Sequence, residues 1–218
     1  MNYSVDLALL IDCTGSMSKA IGYAKDHALK FHSELLQAMK SRQKTIDQLR
    51  VRVVGYRDYY DNVSDALVAS EFFKLPEQED EFNQFVNKLS ADGGGDEPET
   101  ALEAIANAIV NSDWETSMDK TRHVIVVWTD ASAHELERRD KPSGYPSDMP
   151  KTFAELNEKW GQDMKSSAKR LILFAPSSYP WSDLAEIWDN VIHYESIAGQ
   201  GLEDVDFTAI LNTIANSI

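Results

Sequence analysis

The chain has one cysteine, Cys13, in 218 residues. No internal disulfide can form, so a cytoplasmic setting is expected, with the thiol packed in the core. Basic charge is scarce as well: 21 Lys and Arg face 36 Asp and Glu, leaving a net charge of -15. Such a surface repels phosphate backbones and anionic membranes, which excludes nucleic acid as the expected partner, and it concentrates divalent cations. Long apolar runs are missing: no segment reaches the ~20 residues of a membrane-spanning helix, and the N-terminus lacks the basic stretch of a signal peptide. The expectation is a soluble, unexported chain. Repeats and low-complexity tracts are absent too, and His27, His32, His123 and His193 show no zinc spacing such as HExxH, so no histidine is assigned to metal. With 43% apolar residues, the chain can bury one substantial core, and a single domain over residues 1–218 is expected.

What is present is an alternation of apolar runs and amphipathic segments. Leu7–Ile11, Val51–Tyr56, Val124–Trp128, Leu171–Ala175 and Val191–Tyr194 read as strands, with Ala66–Phe73 as the second arm of a hairpin after Val51–Tyr56. Apolar residues Ile21, Ala24, Ala28, Phe31, Leu35 and Met39 recur at helical spacing from Ser16 to about Arg42. Further helices are read at Asp80–Leu89, from Pro98 to about Val110, and at Thr152–Met164, Ser182–Trp188 and Phe207–Ile218. Strands alternating with helices imply an α/β doubly wound sheet, mostly parallel, with ligands beyond the carboxyl ends of its strands.

Polar clusters fall at those ends. VDLALLIDCTGSM delivers Asp12, Thr14 and Ser16 into a glycine-marked turn; Asp96 and Glu99 precede a helix; Asp130 follows a later strand. A carboxylate and two hydroxyls at i, i+2 and i+4 can converge on one point and hold a hard cation, and magnesium suits such oxygen donors because it keeps several waters. Manganese and calcium are the alternative ions. The neighbouring acids Asp96 and Glu99 also fit the electropositive first turn of a helix. Arg57 and Asp58 are expected either at the rim or paired with each other, and His134 within reach of the site. The segment Glu137–Pro150, dense in charge and proline, reads as a long loop on the same side, with Arg138, Arg139 and Tyr145 as candidates for selecting a partner.

These motifs resemble a von Willebrand factor A domain with a metal-ion-dependent adhesion site. IDCTGSM is similar to the family's Asp-x-Ser/Thr-x-Ser signature at Asp12, Thr14 and Ser16, VVWTDA to its later strand-plus-aspartate element at Asp130, and GGGDEPE to the metal loop of integrin beta I-like and many intracellular A domains. The resemblance implies a Rossmann-like fold with a six-stranded sheet, one antiparallel edge strand, and helices on both faces. It places Glu99 on a position that ligates the adhesion-site metal, and Asp61 and Asp96 on carboxylates of a second, calcium-type site. Asp61 fits a hairpin turn equally well. Lys19 and Ala20 stand where a further flanking site would need acids, so that site is expected to be absent.

The expected function is non-catalytic: a magnesium-dependent module that captures an acidic residue of a protein partner. Two other readings stand beside it. Asp-Cys-Thr-Gly-Ser is similar to the phosphorylation motif of haloacid-dehalogenase-like phosphotransferases, which would make Asp12 a nucleophile. Cys13 in place of lysine and the lack of a later Gly-Asp-Gly-x-Asn-Asp segment count against it. The remaining reading is a structural subunit whose metal only stabilises the loops.

Overall fold

The structure is a computed structural model and describes residues 2–93, 97–118, 120–200 and 207–218. Strand β1 (Asn2–Asp12) lies in the middle of the sheet, parallel to β2 (Thr45–Tyr56) on one side and to β5 (Thr121–Trp128) on the other. Both its faces are covered, which is why it reads as a continuous apolar run. Val5, Leu7, Leu9 and Ile11 point to one face, against α1 (Ser18–Lys40), α2 (Glu79–Lys88) and α6 (Phe207–Ser217). Ala8 and Leu10 point to the other, against α3 (Ala101–Val110), α4 (Phe153–Gln162) and α5 (Trp181–Ile187). Strands β6 (Lys169–Pro176) and β7 (Val191–Ser196) extend the parallel run beyond β5.

The other edge is antiparallel and consists of two short pieces, β3 (Leu67–Ala69) and β4 (Phe73–Leu75), both paired with β2. The sheet therefore has seven strands, in the order β3-β2-β1-β5-β6-β7 with β4 beside β2, where six were expected. The break falls at Ser70. Its backbone N–H donates to the Val53 carbonyl at 2.9 Å while its hydroxyl accepts the Val53 N–H at 3.0 Å, so a side chain replaces a backbone acceptor and ends the ladder.

Strand β2 and helix α3 differ from the sequence reading for physical reasons. Strand β2 begins at Thr45, earlier than its apolar run, because residues 45–48 alternate between exposed and half-buried positions and only Ile46 among them is apolar. In α3 the expected stripe of Ala101, Leu102, Ile105 and Ile109 is buried, but so are Ala104, Ala106 and Ala108. Small alanines let this helix sink into the layer on every side. The same burial encloses Glu103 and Asn107, and Asn107 is met by the Arg52 guanidinium at 3.0 Å.

Candidate metal centre

The turn after β1 is built by its own side chains. Asp12 Oδ1 accepts from the Thr14 backbone N–H at 2.9 Å and from the Thr14 hydroxyl at 2.6 Å. The chain then enters a short 3-10 turn, Gly15–Met17, before α1 starts at Ser18. Close approach of the neighbouring loop holds the turn down: Gly15 N–H donates to the Gly93 carbonyl at 3.0 Å, and a Cβ on Gly15 would stand 3.3 Å from that oxygen. The Asp92 N–H donates to the Cys13 carbonyl in the same contact.

The parallel pairing of β1 with β5 brings the second polar cluster alongside. The Thr129 hydroxyl donates to Asp12 Oδ2 at 2.7 Å, and the Ser16 hydroxyl donates to Asp130 Oδ1 at 2.9 Å. The Thr14 and Ser16 hydroxyl oxygens are 3.5 Å apart. Asp12, Thr14, Ser16 and Asp130 thus come together as expected, and Thr129, which sequence reasoning did not assign to the site, joins them. Its signal was available: a threonine closing an apolar strand, directly before the aspartate.

Asp12, Thr14, Thr129 and Asp130 are buried while Ser16 is exposed, so the cluster opens outward on the Ser16 side. Burial pushes the Asp12 carboxyl up to about 6; the Thr14 and Thr129 hydrogen bonds oppose the shift, and the charge of Asp130 adds to it. Tyr56, fully buried beneath, is raised well above its ordinary range, first by burial and then by the charges of Asp12 and Glu99. Cys13 is pushed up to about 12 by burial, so it stays a protonated thiol in the core.

Glu99 is buried on the same end of the sheet. Its segment forms a parallel bridge to Ala133: Glu99 N–H donates to the Ser132 carbonyl and His134 N–H to the Glu99 carbonyl, each at 2.9 Å. Asp96 lies outside the described residues. Asp61 is exposed and lines a pocket of about 340 Å³ with Asp58, Asp65, Asp92 and Arg57. In that pocket the Arg57 guanidinium donates to the carbonyls of Asp65, Ser90 and Asp92, so a cationic side chain already occupies the acidic rim.

Arg57 and Asp58 do not pair. Asp58 instead accepts from Thr100 Oγ1 at 3.1 Å, from the Tyr60 N–H at 3.0 Å and from His134 Nε2 at 3.2 Å. Burial raises the Asp58 carboxyl, but the His134 and backbone bonds outweigh it and hold the group below its ordinary range. His134 Nδ1 faces Arg138 Nη1 at 2.7 Å, which makes Nδ1 the acceptor and Nε2–H the donor. Arg138 also grips Asp140 through two nitrogens and lies 3.7 Å over the Tyr60 ring. Tyr145 donates its hydroxyl to Glu103 at 2.7 Å and packs on Tyr59. Of the loop candidates, Arg138 and Tyr145 anchor the loop to the domain, and Arg139 is exposed.

Among the described residues, no three His, Cys, Asp or Glu side chains stand together as a metal cluster. The candidate centre mixes acids with hydroxyls: Asp12 and Asp130 with Thr14, Ser16 and Thr129. That donor set fits a hard, oxygen-seeking divalent cation, which would also offset the mutual cost of two adjacent buried carboxylates.

The comparisons agree with this architecture. The family model described as von Willebrand factor A domain matches residues 6–142. The alpha-protein kinase vwkA of Dictyostelium discoideum is 30% identical over 146 residues, covering 67% of this chain and 21% of that protein. The putative ariadne-like RING finger protein R811 of Acanthamoeba polyphaga mimivirus is 29% identical over 134 residues, covering 60% of this chain and 11% of that protein. The matched segments thus span about a fifth of one relative and about a tenth of the other. In fold it resembles the pilus adhesin SpaC of Lactobacillus rhamnosus GG, with a TM-score of 0.59 at 12% identity over 98% of this chain and 30% of that one. With the family model extending from inside β1, past the Asp12 turn and β5, into the loop after Asp130, the chain belongs to the von Willebrand factor A domain family.

Proposed function

We propose that the chain is a non-catalytic interaction module in which Asp12, Thr14, Ser16 and Glu99, with Asp130 and Thr129 supporting, hold a magnesium ion and through it capture an acidic residue of a protein partner. The observation that carries this reading is the meeting of the β1 and β5 turns, with Ser16 hydrogen-bonded to Asp130 at the open side of a buried Asp12 carboxylate. Membership of a family whose domains generally mediate protein interactions supports it. When bound, the ion supplies a positive centre that accepts a carboxylate oxygen from outside. Asp12 holds the two hydroxyl-bearing segments in place through both its oxygens, Thr14 and Ser16 present neutral oxygens, and the Glu99 segment is fixed by its bridge to Ala133. Neutral donors leave more of the ion's charge for the incoming anion than acids do.

The phosphotransferase reading draws no support from the family match. Both Asp12 oxygens accept from threonine donors and the side chain is fully buried, an arrangement closed to the direct approach of a bulky phosphoryl donor. The single buried thiol suits the proposed cytoplasmic setting, and among the described residues no helix is long and apolar enough to cross a membrane.

The test is affinity capture from lysate in magnesium followed by elution with EDTA, read by mass spectrometry, for the native chain, Asp12→Asn and Ser16→Ala. Asparagine keeps an acceptor for Thr14, whereas alanine would strand buried donors. Partners should appear with the native chain in magnesium and leave with EDTA. Capture that persists in EDTA, or with Asp12→Asn, overturns the reading. A metal that raises the thermal midpoint without changing capture would assign it a structural role.

A further inference from the structure

Several cations lie near one another at the end of the sheet opposite Asp12. Arg42 and Lys44 lie between α1 and β2, Lys120 and Arg122 at the start of β5, and Lys165 and Arg170 at the start of β6. A pocket of about 250 Å³ opens there, lined by Tyr3, Lys120, Thr121, Arg122, Lys165 and Ser167.

Part of this charge has a structural duty. Arg42 donates to Asn212 and Asn216, Lys44 to the carbonyls of Ala215 and Asn216, and Arg122 to the Ile218 carbonyl, so the three seat the end of α6. Among the described residues no side-chain carboxylate is within salt-bridge distance of Arg42, Lys44, Lys120, Arg122, Lys165 or Arg170. Asp189, an acid whose charge Arg170 does feel, is bound to Lys169. Lys44 is held below its ordinary range by burial and then by Arg122, Arg42 and Arg170, and Arg170 by burial and then by Arg122: the group is crowded with like charge.

We propose that this pocket binds a small, multiply charged phosphorylated anion, held by Lys120, Arg122 and Lys165 with the Thr121 and Ser167 hydroxyls. Two ammonium groups suit the several oxygens of a phosphoryl group, as does Nη2 of Arg122, whose Nε and Nη1 are bound to the carbonyls of Ile218, Thr121 and Ser167. Size follows from screening. With a Debye length of about 8 Å at physiological ionic strength, a ligand confined to the pocket feels the local cations, whereas a membrane or nucleic acid also meets the acidic remainder of the molecule. The proposal is independent of the metal reading.

Isothermal titration with sodium triphosphate, in EDTA and physiological salt, tests it. The native chain is compared with the double variant Lys120→Gln/Lys165→Gln, whose exposed lysines stand apart from the bonds seating α6, and with Asp12→Asn. The native chain and Asp12→Asn should bind alike, and the double variant at least tenfold more weakly with its ligand-free thermal midpoint unchanged. Failure of the native chain to bind, equal binding by the double variant, or binding confined to phosphatidylserine vesicles overturns the proposal.

Discussion

The Ser16 hydroxyl donates to Asp130 at 2.9 Å, a contact between residues 114 positions apart. It is possible because β1 and β5 are parallel neighbours whose last paired residues are Ile11 and Trp128, so the turns that follow emerge side by side. If this pair of turns holds a divalent cation, magnesium will stabilise the native chain. At a concentration about 100 times its Kd the gain is about 2.7 kcal/mol. Differential scanning calorimetry should show a magnesium-dependent rise in thermal midpoint that EDTA reverses and Asp12→Asn lacks. An equal rise in the variant would remove Asp12 from the site.

Thr129→Val keeps the shape of the side chain and deletes the donor to Asp12 Oδ2. A buried acceptor without its partner costs roughly 1–3 kcal/mol. Urea unfolding in EDTA should show a loss of that size, whereas an unchanged midpoint would mean that the 2.7 Å contact contributes nothing to the fold.

Tyr145→Phe removes the hydroxyl that reaches Glu103, a carboxyl raised above its ordinary range chiefly by burial. The loop of residues 137–150 would lose its bond to α3 while keeping the ring contact with Tyr59. Limited proteolysis should cut this loop faster than in the native chain, alongside a stability loss of roughly 1–3 kcal/mol. Equal cleavage rates would show that the loop is held by other contacts.

Asp189 anchors the buried Lys169 at 2.9 Å and also accepts from Trp160 and Ser166. Burial acts to raise its carboxyl, but Lys169 and these donors outweigh it and hold the group below its ordinary range. A depressed folded-state pKa contributes stability that is complete above the unfolded value, about 3.9, and is lost as pH falls through the folded one. The Asp189 side chain is half exposed, so solvent screens the pair, and Asp189→Asn should cost about 0.5–1 kcal/mol near neutral pH. The gap between the two urea curves should narrow below about pH 4. A gap that stays constant down to strongly acidic pH would contradict the assignment.

How much of the site was legible varies by residue. Asp12, Thr14 and Ser16 were visible because their spacing is local and their strand is apolar on both faces. Glu99 was placed on the correct end of the sheet by its position before α3, and Asp130 by the apolar run of β5. His134 was expected near the site, but its role was not legible. It binds Asp58 and Arg138, residues contributed by the β2–β3 connection and the long loop, and no periodicity encodes such a meeting.

By itself the sequence determined the layer order of the fold, since strands covered on both faces must be apolar throughout and helices covered on one face must repeat every three or four residues. It also determined which end of the sheet carries the acids and hydroxyls. Tertiary structure alone decided the rest: that Thr129 locks Asp12, that Arg57 turns to three carbonyls and leaves Asp58 to His134, that Ser70 splits the antiparallel edge, and that six cations gather at the far end. The reason is physical. Local patterns record which face of an element is buried, while these contacts depend on which strands become neighbours, and that is settled only when the whole sheet closes around β1.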